Sequence, residues 1–185
     1  IACIRDRGIV QFVAFAVGQR ITARRVTRGD ILGAVAAGAI AALANAGRAA
    51  VATAVQGYGK LDVLVNNAGI LLRRSIEAMT VEEWDRIMAV NLKGVFLGTK
   101  TAIPAMRRAG GGSIINIASG ASFLGLNNAM IYCGIKSGVL GLTRAAAVEL
   151  GPRRIRVNAI APGPTWTPMT AEVLSPEKLA NRAGR

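Results

Sequence analysis

Histidine is absent from all 185 residues, and that gap removes a Ser-His triad, an HExxH zinc site and any imidazole proton shuttle. Acid–base chemistry is left to tyrosine, lysine, serine and carboxylates, and no metal site is read. Cysteine occurs twice, at Cys3 and Cys133, too sparsely for a disulfide framework. A reducing cytoplasm is the simplest setting, and Cys133 reads as a buried helix residue. Aromatics make up 4% of the chain, which leaves few platforms on which nucleic-acid bases could stack. Acids are also scarce, with 10 Asp and Glu against 23 Lys and Arg and a net charge of +13. Such an excess raises nucleic acid or an acidic membrane as a partner, but its distribution argues against both. Residues 1–60 carry eight basic and two acidic residues and residues 61–185 fifteen and eight, so no helix or arm concentrates the charge. Doublets such as Arg73-Arg74 and Arg153-Arg154 read as solvated surface. The uncharged run Ile31–Gly47 is seventeen residues rich in Ala and Gly, short of the twenty or so that a membrane span needs. No charged-then-apolar leader with a cleavage site is visible.

What is present is apolar content of 52%, enough for one domain with a sizeable core. The chain is organised around Gly112–Lys136. Ile114-Ile115-Asn116-Ile117 is short, β-branched and preceded by glycines, the pattern of a buried strand in a parallel sheet, with Ser119 at its carboxyl end, where ligands bind in such sheets. Thirteen residues after Ser119 comes Tyr132, and Lys136 follows four later in a segment of helical composition that runs to Leu150. Tyrosine and lysine therefore share one helix face. A phenol with a pKa of about 10 is a poor acid or base at neutral pH, and each unit of lowering takes roughly 1.4 kcal/mol of phenolate stabilisation. A lysine cation nearby is expected to supply it. Ser119 is then placed to hydrogen-bond a substrate oxygen while Tyr132 exchanges the proton.

This Ser…Tyr-x-x-x-Lys constellation resembles the short-chain dehydrogenase/reductase family, and the resemblance runs from about Tyr58 to Met169. Ala147–Glu172 is most similar to bacterial hydroxysteroid dehydrogenases and to 3-oxoacyl carrier-protein reductases. The resemblance implies a Rossmann-like, doubly wound parallel α/β sheet in a single domain, incomplete at both ends. Residues 1–48 diverge from the pattern, 49–169 follow it, and 170–185 form a partial substrate-covering segment. It implies an oxidoreductase that uses NAD or NADP to interconvert a secondary alcohol and a ketone on a small hydrophobic, steroid-like substrate, with 3-oxoacyl carrier-protein reduction as the alternative. A cytoplasmic homodimer or homotetramer is implied, with helices near Val95–Met106 and Tyr132–Leu150 pairing with their copies, and neither nucleic acid nor membrane as a partner.

Carried over residue by residue, the catalytic set is Asn91, Ser119, Tyr132 and Lys136. Asn91, in Asn91-Leu92-Lys93-Gly94, is implied to hold a water against the lysine. The cofactor-binding set is Asn66, Ala68 and Gly69 of Asn66-Asn67-Ala68-Gly69, then Tyr132, Lys136, Pro162, Gly163, Thr165 and Thr167. Trp166, Met169, Val173 and Leu174 make an apolar set suited either to covering substrate or to ordinary helix packing.

Strands are expected near Ile9–Val17, Leu61–Asn66, Ile114–Ala118 and Arg156–Ile160. A helix is expected through Val55, closed by a turn at Gly57-Tyr58-Gly59. Another starts at Thr80, whose hydroxyl and Glu83 form a capping box, and runs to about Asn91. Thr27 with Asp30 has a similar capping spacing. One family element is missing. No Thr-Gly-x-x-x-Gly-x-Gly follows the first apolar run or occurs anywhere in the chain, and Gly18-Gln19-Arg20 is no substitute. Those glycines let backbone approach a pyrophosphate at a helix N-terminus. The expectation is that the loop lies upstream of Ile1 or that the Arg- and Ala-rich early stretch departs from native-like sequence. A non-catalytic fragment or basic binding module with impaired cofactor binding is the rival class.

Overall fold

In a computed structural model of the chain, residues 12–15 and 39–165 are described, with side chains from residue 47 onward. Four strands form one sheet in the order β1 (Phe12–Phe15), β2 (Val63–Asn66), β3 (Gly112–Ile117), β4 (Ile155–Ile160). β2, β3 and β4 are parallel, with Asn66 opposite Asn116 and Ile114 opposite Val157. Helix α1 (Ala39–Tyr58) leads into β2, the paired helices α2 (Val81–Met88) and α3 (Gly94–Arg108) connect β2 to β3, and α4 (Met130–Leu150) connects β3 to β4. Parallel neighbours need such crossovers.

β1 departs from the all-parallel expectation, for it pairs antiparallel with β2, Phe12 opposite Asn66 and Phe15 opposite Val63. An edge strand can satisfy its neighbour's hydrogen bonds in either direction, and antiparallel pairing asks for no crossover helix. The rest of the Ile9–Val17 run, the Gly18 segment and the Thr27 cap lie outside the described residues, as do Thr167 and the apolar set from Trp166 onward.

Among the described residues the helices cover one face of the sheet. Leu64, Ile114, Ile155 and Val157 point to that face and pack with Val51 and Ala54 of α1, Ala102, Ala105 and Met106 of α3, and Leu150 of α4. The alternate positions Val63, Val65, Ser113, Ile115 and Ile117 are half-buried, and Arg156, Asn158 and Ile160 are exposed. This is the period-two alternation of a sheet with one face packed.

The Thr80 cap forms as the sequence predicts. Glu83 N–H donates to the Thr80 hydroxyl at 3.2 Å, and the Glu83 carboxylate accepts from Thr80 N–H at 3.3 Å. The helix does not stop at Asn91, however. α2 passes through one π-helical turn, Ala89–Lys93, directly into α3, so Asn91 sits in a local widening of a continuous rod. α1 likewise runs beyond Val55, through Gly57 to Tyr58. Gly59, at φ +76, closes it by donating its N–H to Val55 C=O at 2.8 Å.

A chain of amides crosses the core between β2, β3 and the helices. Asn66 Nδ2 donates to Asn116 Oδ1 at 2.8 Å, Asn116 Nδ2 to the Thr143 hydroxyl at 2.9 Å, and that hydroxyl to Val139 C=O at 2.7 Å. Gly98 on α3 makes room for it, since a Cβ there would lie 2.2 Å from Asn66 Oδ1.

Candidate active site

The carboxyl end of β3 turns at once into a single 3-10 turn, Gly120–Ser122, with Ser119 as its cap. Ser119 is extended at φ −166, and its Oγ accepts the Ala121 N–H at 3.2 Å. One lone pair is thereby occupied and the hydroxyl proton is aimed elsewhere. Tyr132 stands beside this turn, where the Ser119 side chain favours its phenolate form. α4 brings Tyr132 and Lys136 to this turn, and the Lys136 Nζ lies 5.8 Å from the centre of the Tyr132 ring.

Lys136 is 5% exposed, and its Nζ donates to Ile117 C=O at 2.7 Å, at the last residue of β3. Burial pulls its pKa down to about 8. Tyr132 does not show the lowering expected of it. Its pKa is raised, because desolvation of the half-buried phenol outweighs the Ser119 hydrogen bond that acts the other way. The lysine charge is engaged with a strand carbonyl and lies over the ring rather than at the phenol oxygen.

The Asn-Asn-Ala-Gly segment ends β2 beside this cluster. A Cβ on Gly69 would lie 3.5 Å from Asn91 Oδ1 and 3.9 Å from Lys136 Nζ. Asn91 is buried, and both ends of its amide hold one residue: Ile70 N–H donates to Oδ1 and Nδ2 donates to Ile70 C=O, each at 2.8 Å. Its side chain thus latches the loop after β2 to the π turn. Ala68 is buried against Val90. Asn66 is 3% exposed, its Nδ2 donates to Asn116 and the α3 backbone, and its Oδ1 is buried without a hydrogen-bond partner. Its motif neighbour Asn67 is exposed at the same strand end.

The loop after β4 closes the other side. Gly120 N–H donates to Pro162 C=O at 2.8 Å, and a Cβ on Gly120 would lie 4.0 Å from the Gly163 Cα. The exposed Thr165 donates its hydroxyl to Gly163 C=O at 3.1 Å. For a nicotinamide dinucleotide, the donors and small residues around Lys136, Gly69, Pro162 and Gly163 fit the nicotinamide-ribose end. The glycine loop that would take the pyrophosphate has no counterpart in the sequence.

Sequence reading brought Ser119, Tyr132, Lys136 and Gly69 together correctly. It missed Asn116 and Thr143, whose signal was an asparagine inside a β-branched run at the same strand position as Asn66. It also missed the Ile117 carbonyl as the lysine's acceptor, which no side-chain pattern encodes. Among the described residues no cluster of His, Cys, Asp and Glu could hold a metal, and no helix is long and apolar enough to cross a membrane.

Residues 34–178 match the family model described as short chain dehydrogenase. A trans-4-hydroxycyclohexanecarboxylate dehydrogenase from Sinomonas cyclohexanicum is 54% identical over 123 residues, covering 66% of this chain and 47% of the relative. A 3-alpha-(or 20-beta)-hydroxysteroid dehydrogenase from Mycobacterium bovis is 46% identical over 159 residues, covering 79% and 61%. A short chain dehydrogenase crystal structure from Mycobacterium smegmatis superposes with a TM-score of 0.63 at 36% identity, over 66% of this chain and 50% of that one. The chain spans about half the length of such relatives, from 47% to 61%.

Proposed function

As the chain belongs to the short-chain dehydrogenase family, we propose that it serves an NAD- or NADP-dependent oxidoreductase that interconverts a secondary alcohol and a ketone on a hydrophobic alicyclic or steroid-like substrate. The observation that carries this reading is the meeting of Ser119, Tyr132 and Lys136 at the end of β3, with the buried lysine held on the last strand carbonyl beside the phenol ring. The cofactor, when bound, supplies or accepts the hydride. Lys136, Gly69, Pro162, Gly163, Thr165 and Thr167 are the residues that would hold its nicotinamide end.

Ser119 accepts Ala121 N–H, which leaves its hydroxyl proton available to donate to the substrate oxygen. Tyr132 donates a proton to that oxygen in ketone reduction and takes it back in alcohol oxidation. The raised phenol pKa keeps Tyr132 protonated and favours the donor role, and a ligand that draws Lys136 from Ile117 C=O toward the phenol would oppose the burial. Asn91 fixes the Ile70 loop that floors the site, a positioning role.

A cytoplasmic homo-oligomer is part of the proposal. Exposed Phe96 on α3 and Leu142 and Val148 on α4 give the two helices apolar outer surface suited to a second copy. Light scattering that shows only monomer at micromolar concentration would remove that part. The activity itself is tested by following nicotinamide absorbance at millimolar cofactor with 4-hydroxycyclohexanecarboxylate or a hydroxysteroid. Turnover that disappears in Tyr132→Phe supports the reading, and turnover that survives it sinks the assignment.

A further inference from the structure

The turn that carries Ser119 is held to α4 by a reciprocal pair of hydrogen bonds remote from any reacting atom. Ser122, the last residue of the turn, donates its hydroxyl to Lys136 C=O at 2.8 Å. Ser137, next on the helix, donates its own hydroxyl to Ser122 C=O at 2.9 Å. Two consecutive helix residues thus grip both polar ends of one turn residue. Inside the turn, Ser122 N–H donates to Ser119 C=O at 2.9 Å and Ala121 N–H to Ser119 Oγ. Ser122 is therefore one hydrogen bond from Ser119 on one side and directly bonded to the residue that bears Nζ on the other.

We propose that Ser122 and Ser137 form a clamp that positions Ser119 against Tyr132, so that the spacing of the proton-transfer pair is set from α4 and not by β3 alone. The inference rests on the reading of Ser119 and Tyr132 given above, and it adds two positioning residues that touch neither substrate nor cofactor. Without the clamp, the turn keeps its attachments to β3 and, through Gly120, to Pro162, both of which lead away from α4. Its distance to Tyr132 is then free to drift. Displacement of about 1 Å between partners of a catalytic pair is enough to cost up to a hundredfold in rate. A clamp that merely stabilised the fold would leave the placement of Ser119 relative to Tyr132 unchanged.

That difference supplies the test. The chain has two tyrosines, Tyr58 and Tyr132, so in a Tyr58→Phe background the phenolate absorbance reports Tyr132 alone, with no cofactor present. It is read by stopped-flow pH jump, faster than unfolding. Ser119 pulls the phenol pKa down, so Ser122→Ala should move the midpoint up, and Ser122→Thr, which keeps the hydroxyl, should restore it. Ser137→Ala, at an exposed position, should move it the same way by less. In turnover, Ser122→Ala should lower kcat about tenfold with cofactor KM unchanged. An unchanged midpoint in Ser137→Ala and in a folded Ser122→Ala would overturn the clamp, whatever happens to thermal stability. If Ser122→Ala does not fold, Ser137→Ala and the Thr variant still decide. If the unmodified chain shows no turnover, the functional reading fails while the tyrosine titration continues to judge the clamp.

Discussion

The two flanks of β2 are built on different terms. On one side β3, the Ser119 turn and α4 are joined at every step: a parallel register, a cap, a lysine on a strand carbonyl and a clamp between turn and helix. On the other side β1 is four residues paired antiparallel, in a stretch of sequence without the glycines that bring backbone to a pyrophosphate. Catalytic geometry in this fold is local, because thirteen residues separate Ser119 from Tyr132 and one helix carries both Tyr132 and Lys136. A dinucleotide cradle is not local. It needs a particular strand direction, a particular turn and a helix N-terminus in sequence.

The sharpest way to break this contrast is at the formed side. Tyr132→Phe should reduce turnover by roughly a thousandfold at saturating cofactor, the scale of a lost general acid. The far-ultraviolet circular dichroism should stay unchanged. Full activity would mean that the Ser119 turn and α4 are joined for some other reason.

Next in size is the burial of Lys136. Its folded pKa of about 8 lies below the ordinary 10.5, so between those values the unfolded chain holds more protons and stability rises with pH. The cost of the buried cation is complete below about pH 8 and is relieved by pH 10.5, on the order of 3 kcal/mol at most. Tyr132 acts in the opposite sense at higher pH, since its raised pKa lets unfolding release a proton from pH 10 upward. Lys136→Met should raise the Tm at neutral pH and flatten the rise above pH 8. Denaturation curves taken across that range check both, and an undiminished rise in the variant would contradict the assignment of the titrating group.

The core between the flanks is probed by Gly98→Ala. In an open helix this change gains up to about 1 kcal/mol, but here the new Cβ would meet Asn66 Oδ1 at 2.2 Å and break the Asn66–Asn116–Thr143 chain. A net loss of about 2 kcal/mol is expected in urea unfolding. The smallest effect belongs to the surface cap. Thr80→Ala should cost about 1 kcal/mol by removing the hydroxyl that accepts Glu83 N–H. Turnover should stay untouched, because Thr80 caps the end of α2 opposite Ile87 and Met88, the residues that pack against α4.

The formed flank was also the legible one, and for a physical reason. Ser119, Tyr132 and Lys136 announce themselves because their chemistry demands particular residue types, and the periods of strand and helix place them together. The three parallel strands, the Thr80 cap and the long α4 follow from patterns of the same kind. The direction of β1 did not, since Ile9–Val17 has the apolar run of a strand in either polarity. The π turn at Asn91 was read as a helix end, because an asparagine in a helix weakens the pattern whether it stops the rod or widens it. The phenol pKa was misjudged in sign because the lysine was credited with its charge and not with the desolvation that both groups share. The side that Asn66 faces depends on strand parity and on the space left by Gly98, which the motif does not display.

Whether the contrast between the flanks is functional is decided most directly by titrating the chain with NADH and NADPH and following nicotinamide fluorescence. Loss of two or three charge-assisted hydrogen bonds, each worth roughly 1.5–3 kcal/mol, weakens binding by orders of magnitude. The account therefore predicts half-saturation no tighter than about millimolar for either dinucleotide. Half-saturation in the micromolar range would show that the β1 side rebuilds the cradle by other means, and would contradict the division drawn here.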